Sequence, residues 1–192
     1  MLKESLTSNN GQIMQGPCLL IPQVFKDDRG FFLESWNHKV FTNSVRENIF
    51  FVQDNHSKSS YRTLRGLHFQ MMPMAQGKLI RCIHGEIYDV IVDIRKNSRT
   101  FGEWIGVRLD AKNFQQLWVP IGFAHGFLTL SKNAEIIYKV SEYWDQKYEK
   151  VLSWNDEDLS IKWPLNAEPK LSKKDSFGLS FQEIKEADFF NN

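Results

Sequence analysis

The sequence predicts an all-β fold, a sandwich or barrel of many short strands. Three observations support this. Fifteen Phe and six Trp in 192 residues favour β structure, where rings fit the pleated surface. Short runs of apolar residues, some strictly alternating with polar ones, fill the middle of the chain. Turn-forming clusters punctuate those runs at intervals too short for βαβ units.

The elements follow in order. "CLLIPQVF" (18–25) opens the series, and "KDDRG" (26–30) turns the chain into "GFFLESW" (30–36). "NHKVFTNSVREN" (37–48) suits a short helix. "IFFVQDN" (49–55) and "TLRGLHFQ" (63–70) read as strands, with "HSKSS" (56–60) as the turn between them. "KLIRCI" (78–83), "EIYDVIVDI" (86–94), "EWIGVRL" (103–109), "QLWVPI" (116–121), "HGFLTL" (125–130) and "EIIYKV" (135–140) complete the β set. Between them lie "HGE", "RKNSRT", "DAKN" and "SKNAE", all rich in turn residues. "SFQEIKEADFF" (180–190) suits a terminal helix. In the strand at 86–94, a period of two puts Tyr88, Val90, Val92 and Ile94 on one face and Ile87, Asp89, Ile91 and Asp93 on the other. The two aspartates then line a polar cavity or stand on a solvated face.

With no internal repeat, low-complexity tract or linker, a single domain over 1–192 is expected, and 192 residues suffice for a sizeable core. Lysine and arginine total 24 against 23 acidic residues, a balance that gives no support to a nucleic-acid partner. The start, "MLKESLTSNNGQIMQ", lacks the apolar stretch of a signal peptide, and no run approaches membrane-spanning length. Cys18 and Cys82 form no CxxC pair and read as buried thiols in a reducing compartment. A soluble, cytoplasmic protein that engages no membrane is expected.

Two histidines raise the question of metal. "VPIGFAHGF" resembles the second cupin motif, P-x-G-x-x-H, and puts His125 where a ligand would stand. The first cupin motif supplies H-x-H, but here the spot reads His68-Phe69-Gln70. A non-haem site needs two histidines and a carboxylate, so no metal is expected. His68 alone would pass for a satisfied core residue. However, Arg65, Lys78, His125 and Tyr138 are also set in apolar strands, and burying that many polar groups without a ligand is costly. A cavity for an anionic ligand accounts for them together, and a histidine is suited to moving a proton near neutral pH.

The motifs "VFKDDRGFFLESWN", "FVQDNHSKSS", "LRGLHFQ", "QGKLIRCIHGEIYDVIVDIRKNS", "TFGEWIGVRLDAKNFQQLWVPIGFAHGF", "AEIIYKVSEYW", "LSWNDEDLSIKWP" and "LSKKD" occur in this order over residues 18–180. Together they resemble the dTDP-4-dehydrorhamnose 3,5-epimerase family. That resemblance implies a metal-free, cofactor-free cupin-type jelly roll (a double-stranded β-helix) with short peripheral helices, assembled as a homodimer. It implies inversion of C3 and C5 of a dTDP-linked 4-keto-6-deoxyhexose, on the route to dTDP-L-rhamnose and so to O-antigen. Epimerisation at C3 alone, or on a related nucleotide sugar, is the alternative.

By the same resemblance His68 is the base, Asp175 its orienting carboxylate, Tyr138 the acid and Lys78 the stabiliser of the enolate oxygen. Gln53, Asn55, Arg65, His125, Glu149 and Lys174 match positions that contact the nucleotide sugar. Arg29 and Glu34 match further such positions, in an N-terminal segment that reaches the partner subunit's site. Read alone, each has an ordinary role: Tyr138 a core tyrosine, Lys78 a strand-edge lysine, Asp175 a turn or helix cap, Arg29 a loop arginine. The chain departs from the family at Leu33 and Trp36, where Phe and Tyr or Phe are commonest, which bears on base specificity. Two other classes compete: a metal-dependent cupin oxygenase or isomerase, and a sugar-binding jelly roll without catalysis.

The strand carrying His68 contains a conflict. Strict alternation puts His68 with Leu64 and Gly66, and Arg65 on the other face with Leu67 and Phe69. A shared ligand for Arg65 and His68 therefore requires a bulge or strong twist at Gly66.

Overall fold

The computed structural model describes residues 1–187 and 189–190. Its strands are β1 (Leu2–Thr7), β2 (Ile13–Ile21), β3 (Val24–Asp27), β4 (Gly30–Leu33), β5 (Gln53–Ser60), β6 (Leu64–Gln70), β7 (Lys78–His84), β8 (Glu86–Asp93), β9 (Trp104–Asp110), β10 (Gln116–Val119), β11 (Phe123–Thr129), β12 (Asn133–Val140) and β13 (Glu149–Val151). Helix α1 spans His38–Val45 and α2 spans Phe181–Glu186.

One sheet runs β1-β2-β10-β7-β12-β5, the other β13-β6-β11-β8-β9, and β3 pairs with β4 as a separate hairpin. From β5 onward, consecutive strands alternate between the two sheets, except for the β8–β9 pair. Neighbours within a sheet therefore come from distant sequence, the arrangement of a jelly roll. Inside, Ile80, Leu117 and Ile136 of the six-stranded sheet pack with Ile91, Ile105 and Phe127 of the five-stranded sheet. Such cores form because every second side chain of a strand points inward.

Both outer faces are covered. On the six-stranded sheet, Leu20, Leu79 and Trp118 pack with Phe41 and Val45 of α1. Those two sit four residues apart, on one face of the helix. Asn37 caps α1 by accepting the Val40 N–H at 3.1 Å, and the chain leaves through Arg46 at φ 62°. Fully burying Phe41 is worth about 1.5–3 kcal/mol. On the five-stranded sheet, Leu67, Phe69, Val90 and Val92 meet Leu152, Leu159, Phe181 and Ile184 from the C-terminal segment.

Several expectations need correction. The run 18–25 is not one strand: β2 ends at Ile21, and β3 begins after Pro22, which lacks the N–H needed to continue a ladder. Residues 49–52 are not strand, and "HSKSS", expected to turn, lies inside β5. That strand is the sheet edge, with burial alternating along it, so it carries polar residues on both faces. The terminal helix ends at Glu186, short of the expected 190, and Asp188 of that expectation lies outside the described residues. Asp89 and Asp93 are not on a solvated face, for both are fully buried. Asp93 closes a loop rather than lining a cavity, bonding Arg95, Ser98 and Thr100 at 2.7, 2.6 and 2.7 Å. Burial alone would raise its pKa, but these bonds together hold it below the usual carboxylate range.

Candidate active site

A cavity of about 400 Å³ opens between the sheets beyond Phe127 and Ile136. The five-stranded sheet contributes Arg65, His68, His125 and Glu149 to its wall, and the six-stranded sheet contributes Gln53, Asn55, Lys78 and Tyr138. Lys174 comes from the C-terminal segment.

The β6 register carries the expected irregularity. His68 pairs with His125 and Arg65 with Phe127, so two residues of β6 oppose one of β11. Gly66 has φ 120°, and a Cβ there would lie 2.5 Å from the Gly126 Cα. Only glycine lets the two backbones approach this closely. The bulge brings Arg65 and His68 to one cavity, while Leu67 and Phe69 stay in the outer core.

His68 Nε2 lies 2.5 Å from Asp175 Oδ1. The carboxylate is 4% exposed and is held from two further directions. The Gly66 N–H donates to Oδ1 at 3.3 Å, and the Ser172 hydroxyl donates to Oδ2 at 2.6 Å. Burial opposes its charge, but the bonds from His68 and Ser172 keep its pKa below the usual carboxylate range. His68 shifts downward: burial is the largest cause, the Asp175 hydrogen bond opposes it, and the Lys174 and Lys78 charges add to the fall. The imidazole is therefore neutral at pH 7 and free to take a proton.

Lys78 is 8% exposed, with Nζ donating to the His68 carbonyl at 3.3 Å. Burial pulls its pKa down to about 8, with Glu149 and Asp89 acting against the fall. Lys78 pairs with Val140 across β7 and β12, one pleat from Tyr138 on the same face. Burial raises the Tyr138 pKa, and the Arg65 charge only partly offsets this, so the phenol keeps its proton at neutral pH. His125 has its own carboxylate: Nε2 is 2.9 Å from the fully buried Asp89. The pair lies off the hydrogen-bonding direction, so the contact is a close approach rather than an aligned bond.

At the mouth, Lys174 pairs with Glu149 at 2.8 Å. Gln53 Nε2 donates to Asn55 Oδ1 at 2.9 Å, and Arg65 Nε donates to Ser59 Oγ at 3.0 Å. Arg29 and Glu34 are not in this cavity. Arg29 lies at the β3–β4 turn with its guanidinium on Asp27, and Glu34 accepts from Asn37 at 3.1 Å. Sequence reasoning missed Ser172, Gln76 and Trp144, of which the latter two line the cavity. The "LSKKD" motif held the signal for Ser172, since a serine three residues before an aspartate suits a local capping bond. Nothing in the sequence pointed to Gln76 or Trp144. Among the described residues, no group of three His, Cys, Asp or Glu is placed to hold a metal.

Fold and cavity define a jelly roll that presents ionisable side chains from both sheets to one ligand-sized space. A family model described as dTDP-4-dehydrorhamnose 3,5-epimerase matches residues 12–183. The chain is 53% identical over 169 residues to the dTDP-4-dehydrorhamnose 3,5-epimerase of Shigella flexneri, covering 88% of this chain and 91% of that one. It is 54% identical over 158 residues to the enzyme of the same name from Salmonella typhimurium, covering 82% and 86%. A crystal structure of dTDP-6-deoxy-D-glucose-3,5-epimerase from Legionella pneumophila, in complex with dTDP-4-keto-L-rhamnose, superposes with a TM-score of 0.84 at 39% identity, covering 91% and 90%. The chain belongs to the dTDP-4-dehydrorhamnose 3,5-epimerase family. It is an epimerase with the cupin-type fold of that family, and among the described residues no helix is long and apolar enough to cross a membrane.

Proposed function

We propose that the chain converts dTDP-4-dehydro-6-deoxy-D-glucose to dTDP-4-dehydro-L-rhamnose by proton transfer through an enolate, without a cofactor. The observation that carries this reading is that a neutral, carboxylate-backed histidine and a protonated tyrosine enter one cavity from opposing sheets. C3 and C5 flank the C4 ketone, which acidifies both C–H bonds. His68 Nδ1, the nitrogen that Asp175 does not hold, removes a proton from one face, the C–H electron pair moves into the enolate, and the Asp175 carboxylate, accepting the Nε2–H, balances the imidazolium. Lys78 faces the enolate oxygen with its ammonium charge. Tyr138 returns a proton to the opposite face, and the electron pair re-forms the C–H bond with inverted configuration. Arg65, His125, Lys174, Gln53, Asn55 and Glu149 bind the sugar and its pyrophosphate, arginine being suited to paired phosphate oxygens.

We further infer a homodimer in which the β3–β4 hairpin reaches the second copy's cavity. Phe25, Phe31 and Phe32 on that hairpin are 54%, 58% and 70% exposed, an apolar surface out of keeping with a solvated loop. Arg29 and Glu34 on the same segment would then meet the ligand of the partner.

Incubation with dTDP-4-dehydro-6-deoxy-D-glucose in heavy water tests the reaction. Deuterium at both C3 and C5 is expected. Label at C3 alone would reduce the activity to a single epimerisation, and no exchange by folded protein would refute the assignment.

A further inference from the structure

Gln70 stands where a cupin metal site would put its second histidine, two residues beyond His68. It is 4% exposed, and its amide is fully used. Nε2 donates to the carbonyls of Met74 at 2.5 Å and Tyr143 at 3.0 Å, while Oε1 accepts the Asp145 N–H at 2.7 Å. Two other glutamines hold the same segment. Gln76 donates to the Glu142 carbonyl at 2.7 Å, and Gln53 accepts the Trp144 N–H at 3.2 Å. Residues 142–145 follow β12 and belong to no strand, so side-chain amides from β5, β6 and the 71–77 segment replace the ladder bonds a strand would have. Trp144 is 53% exposed yet lines the cavity. The placement of its indole therefore depends on how firmly its backbone is held.

We propose that Gln70 is a positioning residue for substrate binding: its amide clamps the turn at 143–145 and so fixes Trp144 as a wall of the cavity mouth. This rests on the reading of the cavity as the nucleotide-sugar site. The amide reaches neither His68 nor Tyr138 by any hydrogen bond, so its loss acts on binding rather than on proton transfer. Gln70→Met keeps the length and apolar contacts but removes all three bonds. Gln70→Glu keeps the acceptor for the Asp145 N–H and loses both donors.

The test is steady-state kinetics with dTDP-4-dehydro-6-deoxy-D-glucose for wild type, both variants, Trp144→Ala and the double variant Gln70→Met/Trp144→Ala. Gln70→Met should raise KM about tenfold, equivalent to about 1.4 kcal/mol, with kcat changed less than about twofold. Gln70→Glu should fall between it and wild type. In the Trp144→Ala background, Gln70→Met should add little, because residues acting through one another are non-additive. An unchanged KM, a fall in kcat alone, or full additivity in the double variant would overturn the proposal. Absence of wild-type turnover would instead refute the functional reading on which it rests.

Discussion

Replacing Gly66 by alanine tests the link between the bulge and the site. Two costs combine. An L-residue at φ 120° is held in a region that costs about 1–3 kcal/mol. The new methyl would also lie 2.5 Å from the Gly126 Cα and 2.7 Å from the His125 carbonyl oxygen. Both are backbone atoms of β11, which cannot rotate away as a side chain can. Overpacking of this kind adds about 1–3 kcal/mol. The sum, about 2–6 kcal/mol, is a large part of a typical stability of about 5–15 kcal/mol. For a chain of this length, each kcal/mol lowers Tm by about 2–4 °C, so a fall of at least about 4 °C is expected.

Activity should fall beyond what stability explains. The Gly66 N–H donates to Asp175, and the strand places His68 opposite His125, so any shift that relieves the clash moves His68, the proposed base, and the carboxylate it bonds. Thermal unfolding combined with kcat/KM, measured well below the new Tm, separates the effects. A Tm within 1 °C or so of wild type would refute the close approach of the two backbones at Gly66. A large Tm loss with unchanged kcat/KM would refute the claim that the bulge sets the site.

Three further outcomes are expected. Asp175→Asn keeps the shape but removes the charge that balances the His68 imidazolium, so kcat should fall about 10²–10⁴-fold, read by coupled assay; a fall under threefold would count against the pairing. Tyr138→Phe removes the acid without touching the base, so product should nearly vanish while deuterium from solvent still enters recovered substrate at a His68-facing carbon; loss of both would place Tyr138 outside the acid role. The kcat/KM profile should be bell-shaped. Its acid limb reports His68, whose protonated form cannot accept a proton; since burial lowers that pKa, the limb should lie below the ordinary 6.5. Its alkaline limb should begin near the Lys78 value of about 8, where the charge facing the enolate is lost, and Lys78→Met should abolish that limb along with most of the rate.

What the sequence disclosed depended on whether a residue's role was written into its own strand. Strands with an apolar inward face, such as β8 with Ile87 and Ile91, were legible from periodicity alone. The second half of β5 was not, because residues 56–60 of this edge strand are all polar, with Ser57 facing the cavity, and read as a turn. The bulge at Gly66 was legible as a conflict between alternation and chemistry. Asp175 was legible only through the family resemblance, since residues 68 and 175 meet by a return of the C-terminal segment that no local pattern encodes. Ser172 behind it left only a local capping signal, and the hold of the glutamines on Trp144 left none. Periodicity reports which face a residue takes, while loops decide what it meets.

On the proposed mechanism, the use of two sheets follows from the stereochemistry. Inversion at a carbon requires a proton to leave from one face and another to arrive at the opposite face. Side chains on the inner face of one sheet all point the same way, so a single sheet cannot supply both groups without a loop reaching over the substrate. A jelly roll solves this by setting two inner faces against each other, with His68 on β6 and Tyr138 on β12. Lys78 on β7 neighbours Tyr138 rather than His68 in the sheet, which keeps a buried cation on the side of the acid. It still reaches across to the His68 carbonyl, so on the proposed mechanism its ammonium spans the walls that carry the acid and the base. The enolate oxygen of a ketone flanked by both reacting carbons must lie between them too. On this reading one lysine serves both inversions, and the substrate need only shift so that each carbon in turn faces His68.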